Sequence, residues 1–131
     1  MKRLILCLCL LASPGFALEP IQQEPHINAT LLAARVGDTI RNTCPTISAR
    51  MVVVYSKLRA LEAYARNKGY ADADFEAFQN NPAEKNRMKA QAAAYLAAAG
   101  ATPGDVESYC KVGRDEISKG SLIGELLRSE I

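Results

Sequence analysis

The sequence predicts an all-α fold: an irregular bundle of five or six helices closed by one disulfide, Cys44 to Cys110. Three observations carry this expectation. Apolar residues recur at helical spacing through most of the chain beyond residue 28. Helix starts and stops are legible at Asn81-Pro82-Ala83-Glu84, Thr102-Pro103-Gly104-Asp105, Gly69, Gly100 and Gly120. Only two cysteines remain once an N-terminal targeting segment is set aside, and two cysteines allow a single intramolecular pairing.

That segment has three parts: basic Met1-Lys2-Arg3, an apolar run from Leu4 to Ala12 that includes Cys7 and Cys9, and the small, turn-forming Ser13-Pro14-Gly15-Phe16-Ala17. This is the layout of a secretory signal peptide, with cleavage expected near Ala17 and a periplasmic destination. The run is too short for the roughly 20 apolar residues that span a bilayer, so no membrane span is expected in the mature chain. Removing Lys2 and Arg3 leaves fourteen basic and fourteen acidic side chains. A balanced chain without a basic patch argues against nucleic acid as a partner.

Residues 18–27, with Pro20 and Pro25 and no periodicity, read as an extended leader, and 28–131 as a single helical domain. Asn28 suits the cap of a first helix running to about Asn42, with Leu32, Val36 and Ile40 on one face. Asn28-Ala29-Thr30 also has the form of a glycosylation sequon. Pro45 breaks the path after Cys44. Ile47, Met51, Val54, Leu58, Leu61 and Ala65 then recur in steps of four and three, the seam of a long amphipathic helix that Gly69 ends. The expected role of this seam is to face the protein's own core.

A short helix follows with Phe75 and Phe78. Asn81, Pro82 and Glu84 open the next one as cap, first-turn proline and capping-box partner, and it carries Met88, Ala92, Tyr95, Leu96 and Ala99. The helix after Asp105 places Val106, Tyr109, Cys110, Gly113 and Ile117 on one side, with Gly113 expected to admit a close neighbour. The tail from Ser121 carries Leu122, Ile123, Leu126 and Leu127, which either finish the core or dock on a partner.

The closed loop is long enough for the disulfide to stabilise the fold by about 4 kcal/mol in the chain-entropy model. No Cys-x-x-Cys pair is present and His26 is the single histidine, so neither thiol redox chemistry nor a zinc site is expected. There is no phosphate-binding glycine loop, nucleophile elbow or histidine-containing triad. Asp72/Asp74 and Asp115/Glu116 read as caps and solvated surface. The sequence thus predicts a non-enzymatic protein with no cofactor, no metal and no small-molecule substrate.

Cys44-Pro45-Thr46 entering the long helix, Lys68-Gly69-Tyr70 after it, Tyr109-Cys110 in the penultimate helix and Leu126-Leu127-Arg128 near the end resemble a domain-of-unknown-function family of small exported alphaproteobacterial proteins. The resemblance covers nearly all of the mature chain and transfers no catalytic residue. It implies a loose association with the respiratory NADH:quinone oxidoreductase, hence a periplasmic accessory subunit of that membrane complex. A periplasmic stress chaperone and an immunity or inhibitor protein are the alternative expectations.

Overall fold

The computed structural model describes residues 17–130; the segment expected to be a signal peptide, Ala17 apart, lies outside the described residues. Within them a 3₁₀ turn (Ile21–Gln23) leads into six helices: α1 (Pro25–Thr43), α2 (Met51–Lys68), α3 (Asp72–Asn80), α4 (Pro82–Ala98), α5 (Val106–Lys119) and α6 (Leu122–Glu125). Two three-residue strands, β1 (Ile47–Ala49) and β2 (Leu127–Ser129), pair antiparallel with Ser48 opposite Arg128. No helix among the described residues is long and apolar enough to cross a membrane.

The all-α expectation holds, with the cysteines bonded as expected and their Cα atoms 5.1 Å apart. The bridge ties Cys44, the residue that ends α1, to the middle of α5. Several local expectations also hold. The Asn81 side chain accepts from the amides of Ala83 and Glu84, Asp105 accepts from Ser108, and Gly69 and Gly120 close their helices in the left-handed region. Gly113 admits a close neighbour: a Cβ there would lie 2.3 Å from Ile47 Cδ1 and 2.8 Å from Ile40 Cγ2.

Other expectations are corrected. Residues 18–27 are not an extended leader, because Glu24 accepts from the Ile27 amide at 2.6 Å and opens α1 at Pro25, a residue suited to a first turn that needs no amide bond. The ordered domain therefore starts ahead of residue 28, with Ile21 and Ile27 buried. Asn28 is not the cap. It lies inside the first turn, donating to the Ile21 and Glu24 carbonyls and accepting from Arg87, so its amide is already occupied. Glu84 does not reach back to Asn81 but pairs with Arg87. A strand pair does exist, and Ile47 belongs to it rather than to the seam of α2.

Two apolar clusters share α1. One gathers Val36, Ile40, Cys44, Ile47, Ala92, Leu96, Cys110, Val112, Ile123 and Leu127; the other gathers Ile21, Ile27, Leu61, Ala65, Tyr70, Phe75 and Phe78. The disulfide lies in the first. Removing it by Cys44→Ser with Cys110→Ser is expected to lower unfolding free energy by about 4 kcal/mol, read as a shift of the urea midpoint, with reductant reproducing the effect in the unaltered chain.

Candidate functional site

The seam expected on α2 is only partly covered. Leu61 and Ala65, in its second half, are buried, and Val54 and Leu58 are half-buried. One side of its first turns is exposed: Met51 is 46% exposed, Tyr55 60% and Val52 85%. Neighbouring side chains on a helix lie three and four residues apart, so these three form one surface. The cause lies in the tail. Leu126 and Leu127 sit over α1 beside Gly37, whose added Cβ would touch Leu127 at 3.7 Å, and they occupy the surface that the start of α2 would otherwise cover.

This settles where the candidate docking residues of the tail lie. Ile123, Leu126 and Leu127 are buried, with only 6%, 5% and 3% of their surface exposed, and Leu122 is half-buried against the core. Ile123, Leu126 and Leu127 are corrected from docking surface to packing, since most of their surface is already buried in the protein's own core, and Leu122 packs against the same core with part of its surface left open. The Leu126 carbonyl also accepts from the Arg50 amide, joining the tail to the start of α2.

Charge surrounds the exposed apolar surface unevenly. Lys57 pairs with Glu125 and Arg66 with Asp72. Arg50 donates to the Glu125 carbonyl, and Arg59 makes no ion pair among the described residues. The start of α2 has no side-chain cap and no acidic residue in its first turn. The face is therefore apolar at its centre and positive at its edge.

Two buried carboxylates, Glu24 and Glu116, brace the fold; sequence reading missed the first, and the second, expected with Asp115 as cap or solvated surface, is corrected, because it is buried on the inner side of α5. Glu24 accepts from the Tyr64 hydroxyl at 2.6 Å and has Lys68 Nζ at 3.8 Å. Glu116 accepts from the Tyr95 hydroxyl at 2.6 Å and from Ser121, with Lys119 Nζ at 3.9 Å. Burial raises the Glu24 pKa, but the Ile27 amide, the Tyr64 hydroxyl, Lys68 and His26 together outweigh it and hold the carboxyl below its ordinary value. The bonds to these carboxylates, then burial, push the Tyr64 and Tyr95 hydroxyls up to about 12. His26 is exposed on the first turn of α1, with its ring edge-on to Tyr64 at 4.4 Å. The spacing of Tyr64 and Lys68, four apart on one helix, was the available signal for the first cluster.

Open cavities flank α1. One of about 420 Å³ lies between α1, α3 and α4, and one of about 90 Å³ lies beneath the start of α2.

The model of a family of unknown function, DUF5333, matches residues 19–128. Nothing among the curated proteins and nothing among the solved structures matches the chain.

Three outcomes are expected. Leu127→Ala should cost about 2–4 kcal/mol of stability in urea unfolding, whereas Val52→Ser should change it by less than about 0.5 kcal/mol. In a spectrophotometric titration Tyr64 and Tyr95 should ionise near pH 12, and Tyr64→Phe with Tyr95→Phe should remove the absorbance change they contribute there, while Tyr70, which burial also raises, keeps its own. Because the folded-state pKa of Glu24 is depressed, its contribution is present above the ordinary value of 4.5 and is lost as pH falls below it; Glu24→Gln should flatten that acid limb of the thermal midpoint.

Proposed function

The chain belongs to the DUF5333 family, and from that premise we propose that it is a non-enzymatic, exported protein-binding module, an accessory subunit on the periplasmic side of the respiratory NADH:quinone oxidoreductase. The observation that carries the binding role is the exposed start of α2. Val52 at 85% and Tyr55 at 60% exposure, with Met51 beside them, leave apolar surface in water at a place where the same helix buries its other half. Aromatic and methionine side chains are enriched where proteins meet, and an apolar centre with a charged edge is the layout of such a contact.

The partner surface that complements this face has an apolar centre and an acidic edge, set against Arg50, Arg59 and the uncapped amides of α2. Arg50 and Arg59 contribute mainly orientation and encounter rate, while Tyr55 and Val52 contribute area removed from water. Bracing by the disulfide and by the two buried carboxylates suits a preformed surface that loses little conformational freedom on binding. Export follows from the basic, apolar and small-residue layout of residues 1–17. The choice of a respiratory membrane complex follows from the resemblance at Cys44-Pro45-Thr46, Lys68-Gly69-Tyr70, Tyr109-Cys110 and Leu126-Leu127-Arg128.

The test is purification of the tagged protein from its native host in mild detergent, followed by native gel separation and mass spectrometry. Co-migration with NADH:quinone oxidoreductase subunits is expected, and Val52→Asp with Tyr55→Ser should abolish it without lowering the thermal midpoint. Recovery as a free monomer overturns the accessory role. Retention of many clients only after acidification would replace it with a stress chaperone, and one tightly held periplasmic protein with an inhibitor.

A further inference from the structure

We infer that the cavity between α1, α3 and α4 binds an anionic amphiphile, a medium-chain monocarboxylate with a single apolar tail. This site is separate from the exposed face of α2 and stands or falls independently of it. Its volume, about 420 Å³, falls within the range of small-molecule sites. Leu31, Phe78 and Met88 supply apolar walls, and the last two are buried, so these walls are fixed by the core.

Charge gives the ligand its sign. Four charged residues line the cavity, and both carboxylates are already engaged: Asp38 by Arg41 at 2.7 Å and Glu84 by Arg87 at 2.7 Å, each from its own helix. The two cations are not. Arg35 on α1 and Lys85 on α4 have no ion pair among the described residues. The trough is also lined by Gln79, and its uncommitted charge is positive and comes from two different helices. A guanidinium fork and an ammonium suit one carboxylate, which Arg35 can hold with two parallel bonds.

The apolar surface continues beyond this point. The smaller cavity shares Ala34 and Asp38 with the larger and adds Gly37, Val54 and Leu127. From Leu31 to Arg41 the floor along α1 runs about 15 Å, at 1.5 Å per helical residue. A carboxylate between Arg35 and Lys85 has apolar surface for its tail on either side.

The test is an amide-resolved NMR titration of the protein with decanoate, decanol and decyltrimethylammonium, each below its micelle-forming concentration. Decanoate should bind saturably, with shifts centred on Arg35, Phe78 and Met88, at least tenfold tighter than decanol and tighter still than the ammonium. Octanoate should bind about fifteenfold more weakly than decanoate, about fourfold for each missing methylene. Arg35→Gln with Lys85→Gln should bring decanoate down to decanol affinity and leave decanol unchanged, which loss of fold would not do. Should that variant not fold, Lys85→Glu alone, which sets a carboxylate against Arg35, should remove the preference for decanoate over decanol. Ala34→Phe, on the shared floor, should weaken all three ligands. Equal binding of decanoate and decanol, shifts centred on Val52 and Tyr55, or no saturable binding would each overturn the inference. So would binding in the trough of an acidic amphipathic peptide but not of decanoate.

Discussion

The fold is assembled on one helix, α1, and depends on how its two ends are held. At the N-terminus the Glu24 carboxylate closes the first turn and is itself buried, so it must be paid for by bonds rather than by water. The Ile27 amide and the Tyr64 hydroxyl supply those bonds, which draws the last turns of α2 onto the first turn of α1. At the C-terminus the covalent link from Cys44 to Cys110 does the equivalent work, fixing α5 against the same helix. Between these ends α1 faces one apolar cluster and then the other, so a shift of α1 would loosen both.

Glu116 repeats the solution used at Glu24. Each carboxylate is buried, each receives a tyrosine hydroxyl from another helix at 2.6 Å, and each has a lysine at 3.8 to 3.9 Å. The lysines are well exposed while the carboxylates are not, so solvent screens the attraction and the hydrogen bonds carry most of the compensation. Ser121 does two things at once: its hydroxyl donates to Glu116 and accepts from the Gly124 amide, which caps α6. The close approach of α5 and α6 follows. A Cβ at Gly124 would lie 2.0 Å from the Glu116 carbonyl oxygen, so only glycine fits there.

Much of this was legible in the residues, for physical reasons that can be named. Asn81-Pro82 and Asp105 mark helix starts because their side chains or missing amides meet needs that every helix start has. Gly69 and Gly120 mark stops because only glycine enters the left-handed region without strain. The start of α1 was not legible in the same way. Glutamate is outside the usual cap set, and Pro20 and Pro25 read as breakers until Pro25 is seen to be a first-turn residue. Three-residue strands fall below any periodic signal, so Ile47 was absorbed into a helical pattern that its spacing happens to fit. Of the candidate site, neither the exposure of Val52 nor the trough beside Arg35 could be read, because both depend on which distant element covers which face.

The tail and the start of α2 show how that dependence works. Both segments carry apolar residues at spacings that suit burial on α1, and the surface of α1 near Gly37 has room for one of them. The tail takes it, for two reasons. Pairing of β2 with β1 satisfies backbone groups that a tail lying free would leave to water, and the Ser121 cap fixes the turn that delivers Leu126 and Leu127 to the spot. The start of α2, which has no capping side chain and follows directly from β1, rests one side on the tail and leaves the side bearing Val52 and Tyr55 in water. Its apolar side chains then remain in water as a consequence of competition for one surface, although Leu61 and Ala65 of the same helix are buried. Exposed apolar area on a helix so firmly held at its other end costs little in fold stability, and it is available to lower the free energy of a complex.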